Sequence, residues 1–331
     1  MKLFYINDIR YFITSKNSVK VDKVNSDYTG NIIIPPQVIY ESTTNSVTEI
    51  GVGAFEGCRS LTGIVIPNSV TKIGIVAFES CTGLTEIVIP NSVTKIESGT
   101  FSGCTSLRKI FIPNSVTEIG CWAFAGCTGL IGINVATDNP NYISIDGILY
   151  NKDITILERC PATKILTFIP NSVTEIGENA FEDCVGLREI VIPNSITEIG
   201  KGAFAGCTGL MEIVLPNSIT EIGEGAFYHC ISLREIVIPN SVTEIGVGAF
   251  EGCRCLTKIV IPNSVTKIGQ RAFAGCTGLT EIICLATNPP NLDYMVFSNI
   301  PANITIYVPS GSVETYKEAD GWNDFNVIIR E

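Results

Sequence analysis

The sequence predicts a repeat solenoid, mainly β. Three observations carry this expectation. Nine phenylalanines, Phe55, Phe78, Phe101, Phe124, Phe181, Phe204, Phe227, Phe250 and Phe273, recur at a spacing of 23 residues, with one longer gap after Phe124. A cysteine follows each of them three positions later, from Cys58 to Cys276. Seven of the nine units also contain a short apolar alternation ended by proline, as in Leu84-Thr85-Glu86-Ile87-Val88-Ile89-Pro90. A fixed period of this length describes a stack in which each unit buries its apolar face on its neighbours.

The alternation places Ile87 and Ile89 inward and Glu86 and Val88 outward, because successive strand side chains point to opposite faces. Pro90 removes a donor and ends the pairing. Asn91 and Ser92 suit a turn. Val93 and Ile96 return to the core with Thr94 and Lys95 outside, a second stretch able to pair between coils. Gly74 and its equivalents fit a close approach or a positive φ. Ala77 and Phe78 fill the centre of the coil, and any helix there is one or two turns long. The Asn at positions 68, 91, 114, 171, 194, 217, 240 and 263 are expected to form a ladder whose side-chain amides satisfy turn backbone.

The L-x-x-L-x-L spacing is that of a leucine-rich-repeat strand. The fuller run L-x-x-I-x-I-P-N-S-V-T-x-I-G-x-x-A-F-x-G-C-x-x-L resembles the BspA-like leucine-rich repeats of Treponema/Bacteroides type, over roughly residues 31–283. The segment Asn139-Pro140-Asn141-Tyr142 with 146–153 is similar to that family's hairpin-bearing insertion, and 307–312 with Tyr316 and Trp322 to its C-terminal cap. The resemblance implies adhesion at a bacterial surface and binding of host or neighbouring-cell proteins. The expected fold is a right-handed leucine-rich-repeat superhelix of 23-residue units, with a parallel concave sheet and short turns or helices on the other faces. Eleven or twelve coils at strand spacing would stack to about 55 Å.

The expected organisation is an N-terminal cap over 1–42, repeats over 43–134, a hairpin-bearing insertion over 135–168, repeats over 169–283 and a C-terminal cap over 284–331. In the first cap, Ile9–Thr14 and Val19–Val21 alternate like a hairpin, and Ile32-Ile33-Ile34-Pro35 imitates a repeat strand. Asp146-Gly147 between apolar alternations signals a second hairpin. In the last cap, 304–309 mimics a strand and Ser312 is placed to N-cap a helix over Val313, Tyr316 and Ala319.

The chain of 331 residues carries a net charge of −11 with 17% charged residues. Lys and Arg are dispersed, which disfavours nucleic acid and anionic membrane as partners. No apolar run is long enough to span a bilayer as a helix. The polar break at Asn7-Asp8 interrupts a signal-peptide core, so the chain as written would be cytoplasmic, whereas the resemblance implies a secreted or cell-surface protein. A monomer is expected.

The nine column cysteines read as buried thiols rather than disulfides, since stacked side chains point the same way. No constellation of catalytic or metal-ligating residues stands out, and no cofactor is expected. The single histidine, His229, sits beside Cys230 of the core column, where most units carry Gly. Cys253 and Cys255 form a lone C-x-C, too little for a metal site.

Candidate binding residues therefore come from the outward columns. The first is apolar: Val65, Val88, Phe111, Val191, Val214, Val237, Val260 and Ile283, interrupted by Asn134. Beside it run Glu86, Lys109, Glu189, Glu212, Glu235, Lys258 and Glu281. A third, variable column holds Thr85, Arg108, Ile131, Arg188, Met211, Arg234 and Thr257, in which Arg188 and Arg234 relieve repulsion among the glutamates. Val88, Phe111, Arg188, Val191, Val214, Arg234, Val237 and Val260 form the expected protein-binding set, an exposed apolar stripe with a charged rim. An acidic column, Glu175, Glu198, Glu221 and Glu244, is expected to be solvated on another face. Trp122 is either an exposed anchor or packed against the insertion. Three other readings stand beside adhesion: an intracellular scaffold or sensor, which many thiols favour; carbohydrate binding, for which Phe111 is the one aromatic on the concave columns; and, weakest, an enzyme.

Overall fold

A computed structural model describes residues 2–23, 28–165, 168–323 and 325–330. The chain divides into two units, 1–152 with 161–163, and 153–160 with 164–331.

The first unit opens on a three-stranded meander. Strand Leu3–Ile6 pairs antiparallel with Ile9–Ser15, which pairs antiparallel with Ser18–Val21. Strand Ser18–Val21 then runs parallel to Thr43–Ile50. From there the second stretch of each coil continues the ladder through Lys72–Ile73, Lys95–Ile96 and Glu118–Ile119. The main strand of each coil forms a parallel ladder of its own, Gly30–Ile33 with Leu61–Val65 and then Glu86–Ile87. The bridge Val88–Phe111 and the pairing of Lys109–Ile112 with Gly132–Val135 extend that direction. The Asp146-Gly147 hairpin is present, with Tyr142–Ile145 against Ile148–Asn151. Both turn residues have positive φ, 52° and 78°, as a two-residue hairpin turn requires. A second hairpin, Gln37–Tyr40 against Thr43–Ile50, turns on Glu41 and Ser42.

The second unit contains seven parallel strands in one ladder: Glu189–Val191, Glu212–Val214, Glu235–Val237, Lys258–Ile261, Glu281–Cys284, Thr305–Pro309 and Asn326–Arg330. The shorter ladders are Ile156–Arg159, Glu175–Ile176 and Glu198–Ile199, and Glu221–Ile222 through Asn291–Leu292. The helix Val313–Glu318 forms as expected, but Ser312 makes no side-chain cap bond; its backbone is already helical, at φ −99° and ψ −7°. The cap is fastened instead by the Tyr316 hydroxyl donating to Ala286 O at 2.9 Å and Trp322 Nε1 donating to Pro290 O at 2.9 Å.

Within both units the core is columnar. Phe rings stack nearly parallel, 5.3–6.0 Å apart from Phe55 to Phe124 and 4.9–5.4 Å apart from Phe181 to Phe273. The second column gains Phe297, 5.5 Å from Phe273, which closes edge-on against Trp322. The cysteines are donors as well as fillers. Cys81, Cys104 and Cys127 in the first unit, and Cys207, Cys230, Cys253 and Cys276 in the second, each direct Sγ at the Phe carbonyl of the preceding coil at 3.0–3.2 Å.

The segment around each Phe is not helical. Its amides alternate: Ala77, Glu79 and Cys81 donate back three residues, while Val76, Phe78 and Ser80 donate to the next coil at 2.7–3.0 Å. An α-helix would turn every amide along its own axis, whereas this alternation sends every second one along the stack. It needs positive φ at two places per coil, Val76 and Ser80 here. The Gly74 position serves close approach: a Cβ there would stand 2.7 Å from backbone atoms of Gly51 and Val52.

The asparagine ladder is not formed. All eight side chains are exposed and, among the described residues, make no hydrogen bond. The turn is closed by Val70 N donating to Pro67 O and its equivalents. The side-chain ladder belongs to threonine: Thr71, Thr117, Thr197, Thr243 and Thr266 hydroxyls donate to the equivalent carbonyl one coil back at 3.3–3.4 Å. Threonine's hydroxyl is carried on Cβ, close to the backbone, and reaches the carbonyl of the neighbouring coil.

Burial pushes the Cys58 thiol up to about 11 and the Cys81 and Cys276 thiols up to about 12. A protonated thiol is a poor nucleophile. Alkylation of the native chain near pH 8 should therefore modify Cys121 and Cys255, the two exposed cysteines, and leave the column unmodified until the chain is unfolded; peptide mapping by mass spectrometry reads the pattern.

Candidate functional site

Strand alternation in the second unit sends Glu189, Val191 and their equivalents outward and Ile190, Ile213 and Ile236 inward. The pairing is in register, Glu189 to Glu212 to Glu235 and Val191 to Val214 to Val237 to Val260. The result is two straight rows on one sheet face. Val191 is 75% exposed and Val214 and Val237 are each 61% exposed. Val260 is half-buried, and Ile283, expected in the stripe, is 2% exposed. At this coil the ladder continues into the cap, where the partner of Ile283 is Tyr307 in place of a valine.

The row begins one coil earlier than the sequence reading placed it. Phe168 is 65% exposed at the position 23 residues before Val191, and Ile165 is exposed before Arg188. Phe111 is therefore not the one aromatic on these columns. A groove of about 660 Å³ is lined by Ile165, Arg188, Glu189, Val191, Glu212 and Val214, among others. A second, of about 310 Å³, lies along Glu235, Val237, Lys258 and Val260.

Arg188 and Arg234 are exposed, and among the described residues neither forms an ion pair, so any relief they give the glutamates acts without direct contact. Glu189, Glu212 and Glu235 likewise stand exposed without a cation, while Lys258 pairs with Glu281 at 3.2 Å. The first unit carries the same apolar row in Ile33, Val65, Val88 and Phe111, all exposed. Ile33 again extends it one coil beyond the sequence reading.

The other singled-out residues lie elsewhere. Trp122 is 53% exposed, on a turn with φ 57°. His229 also has φ 57° and stacks on Tyr228 at 4.3 Å. Its neighbour Cys230 points inward to Phe204 O at 3.1 Å, and burial pushes that thiol well above its usual value. The two side chains do not form a catalytic pair. In the acidic column Glu198 and Glu221 are exposed as expected, but Glu175 and Glu244 are half-buried. Burial, then the neighbouring Glu198 carboxylate, raises Glu175, while Glu244 pairs with Lys267 at 2.6 Å.

One polar cluster escaped sequence reasoning. Arg159, on strand Ile156–Arg159, is buried; its Nη1 donates to Asn179 O at 2.5 Å and to Glu182 Oε2 at 3.2 Å, and its Nη2 to Glu182 O at 3.2 Å. Burial raises Glu182, and Arg159 holds it back down. Among the described residues no group of three or more His, Cys, Asp or Glu is placed to hold a metal ion. No helix among them is long and apolar enough to cross a membrane.

Short parallel strands repeating every 23 residues around columns of Ile, Leu and Phe define a leucine-rich-repeat solenoid. The family described as BspA type leucine rich repeat region matches residues 39–155, 155–280 and 243–319, and the chain belongs to it. Among solved structures, a leucine rich cell surface protein from Faecalibacterium prausnitzii A2-165 is 30% identical over 86% of this chain and 95% of that one, with a TM-score of 0.55. The pneumococcal vaccine antigen PcpA is 22% identical over 100% of this chain and 99% of that one, with a TM-score of 0.68, a likeness of fold. A leucine-rich repeat protein from Eubacterium ventriosum covers 82% of this chain and 93% of its own length at 24% identity and a TM-score of 0.50. No curated protein matches.

Proposed function

We propose that this chain is a protein-binding solenoid, not an enzyme, and that it binds through the sheet face carrying Phe168, Val191, Val214, Val237 and Val260. The observation behind this is the contiguity of the exposed row and its grooves. An apolar stripe rimmed by charge is the usual form of a protein-interaction surface. The partner we favour is a surface protein of a host or neighbouring cell, the chain acting in adhesion. Family membership and the cell surface protein from Faecalibacterium prausnitzii support that reading.

The test compares wild type with a Val191→Glu/Val214→Glu/Val237→Glu variant, each immobilised and exposed to purified host matrix and plasma proteins and to intact neighbouring bacteria. The substitutions lie on exposed positions, so the thermal unfolding midpoint should be nearly unchanged. Retention by wild type and a loss of at least tenfold in the variant is the expected result; equal retention by both would remove the face from consideration. An intracellular scaffold is the second reading, favoured by the exposed thiols Cys121 and Cys255. Fractionation of native cells separates the two, since exclusively cytosolic protein excludes adhesion.

A further inference from the structure

The two outward rows of the second unit carry different chemistry side by side. One is apolar, from Phe168 through Val191, Val214 and Val237. The other is Glu189, Glu212 and Glu235, three carboxylates in adjacent coils with no ion pair among the described residues. Elsewhere the fold sets a cation beside a carboxylate in the next coil: Lys95 with Glu118 at 2.6 Å, Lys201 with Glu224 at 2.8 Å, Lys267 with Glu244 at 2.6 Å. The exposed Glu198 and Glu221 hold the same position in successive coils, but the row beside them is Thr197 and Thr220, polar and exposed. Among the described residues, the Glu189 row combines unpaired acid with an apolar strip and a groove.

We infer that this face docks an amphipathic α-helix with a basic flank, its apolar stripe on the valine row and its Lys or Arg side chains over the glutamate row. This rests on the protein-binding reading above and names the class of partner. The spacing selects a helix. Coils in a parallel ladder repeat at about 4.8 Å. A helix laid along the stack presents one face every turn of about 5.4 Å, a slip of about 0.6 Å per coil. A strand laid the same way presents one face every two residues, about 6.6 Å, and slips about three times as far. From Phe168 to Val260 is four coil steps, about 19 Å, which a helix of about 13 residues spans. The charge supplies direction: basic side chains lie over Glu189, Glu212 and Glu235, and Arg188 and Arg234 in the next column reject a helix whose basic flank extends too far around. Complementary charge sets partner choice and encounter rate.

The probes are synthetic helical peptides of about 16 residues with one apolar stripe and, alternatively, a lysine flank, a glutamate flank, a lysine flank with the stripe scrambled, or a lysine flank with a central proline. Binding to the full chain is read by fluorescence anisotropy at low and at physiological salt. The lysine-flanked helix should bind at least tenfold tighter than each of the other three, and weaken with salt. A Glu189→Lys/Glu212→Lys/Glu235→Lys variant, shown to unfold at the wild-type temperature, should reverse the preference toward the glutamate-flanked helix. Equal binding of the two flanks, no reversal in the variant, or tighter binding of the proline-broken peptide overturns the inference. If no helix binds but the triple-valine variant still loses a captured matrix protein, the inference fails and the protein-binding reading stands. If neither helix nor matrix protein distinguishes the variants, both fail.

Discussion

Phe204→Ala should destabilise the second unit by about 3–5 kcal/mol, because it opens a cavity in a core that cannot collapse around it. The ring is fully buried, 4.9 Å from Phe181 on one side and 5.4 Å from Phe227 on the other. Each coil is also fixed to the next by Phe204 N donating to Ala226 O and by the Cys230 thiol donating to Phe204 O. Those bonds hold the backbone at its spacing, so neighbouring rings cannot slide inward to fill the space. Urea unfolding measures the loss as a lower midpoint at similar slope. A change below about 1 kcal/mol would mean that the column relaxes, and that the ladder does not hold coil spacing as described.

Arg159→Met is the second large effect, expected at about 3–5 kcal/mol, the cost of removing one partner from a buried ion pair. The guanidinium serves two carbonyls and the Glu182 carboxylate. Methionine approximates its volume but leaves those acceptors, on buried Asn179 and half-buried Glu182, without their donor. The loss should depend on pH, with a definite sign. Burial already raises Glu182 and Asp183, and Arg159 is what lowers both. Without it their folded values rise further above the unfolded ones. A group with a raised folded value contributes its stability below the unfolded value and loses it as pH climbs through the folded one. The variant should therefore be closest to wild type near pH 4 and furthest from it near pH 7. A pH-independent difference would show that packing, rather than charge, is what Arg159 supplies.

The two sites differ in how far the sequence revealed them. Phe204 is visible because one column repeats one residue type at one spacing. Arg159 occurs once, at the edge of the interruption, where no period applies and where its partners Asn179 and Glu182 become neighbours only through folding. The same contrast runs through the binding face. Val191, Val214 and Val237 follow from alternation alone. Phe168 and Ile33 continue these rows by the 23-residue spacing, Ile33 in strand Gly30–Ile33 and Phe168 outside any strand, in coils that lack the Phe-x-x-Cys signature by which units are counted. Phe297 was hidden by a single inserted residue: it follows Phe273 by 24 rather than 23. The conserved look of the asparagines within the chain suggested a ladder, yet periodicity shows that a position is repeated, not that its side chain is bonded. Helix against turn was also beyond pattern reading, because the apolar spacing of Ala77 and Phe78 is compatible with either. The deciding feature, backbone with positive φ at Val76 and Ser80, is carried by non-glycine residues that do not announce it.

The main ladder of the second unit keeps 23-residue register from Glu189 to Glu281: Glu189 faces Glu212, Glu212 faces Glu235, Val237 faces Val260 and Lys258 faces Glu281. At the level of the gene, unequal recombination between two such units removes or adds one whole coil while every junction it creates is one already present. Copy number thus becomes a heritable setting for the length of the valine row, changed in a single event and without an intermediate that must pack a new core.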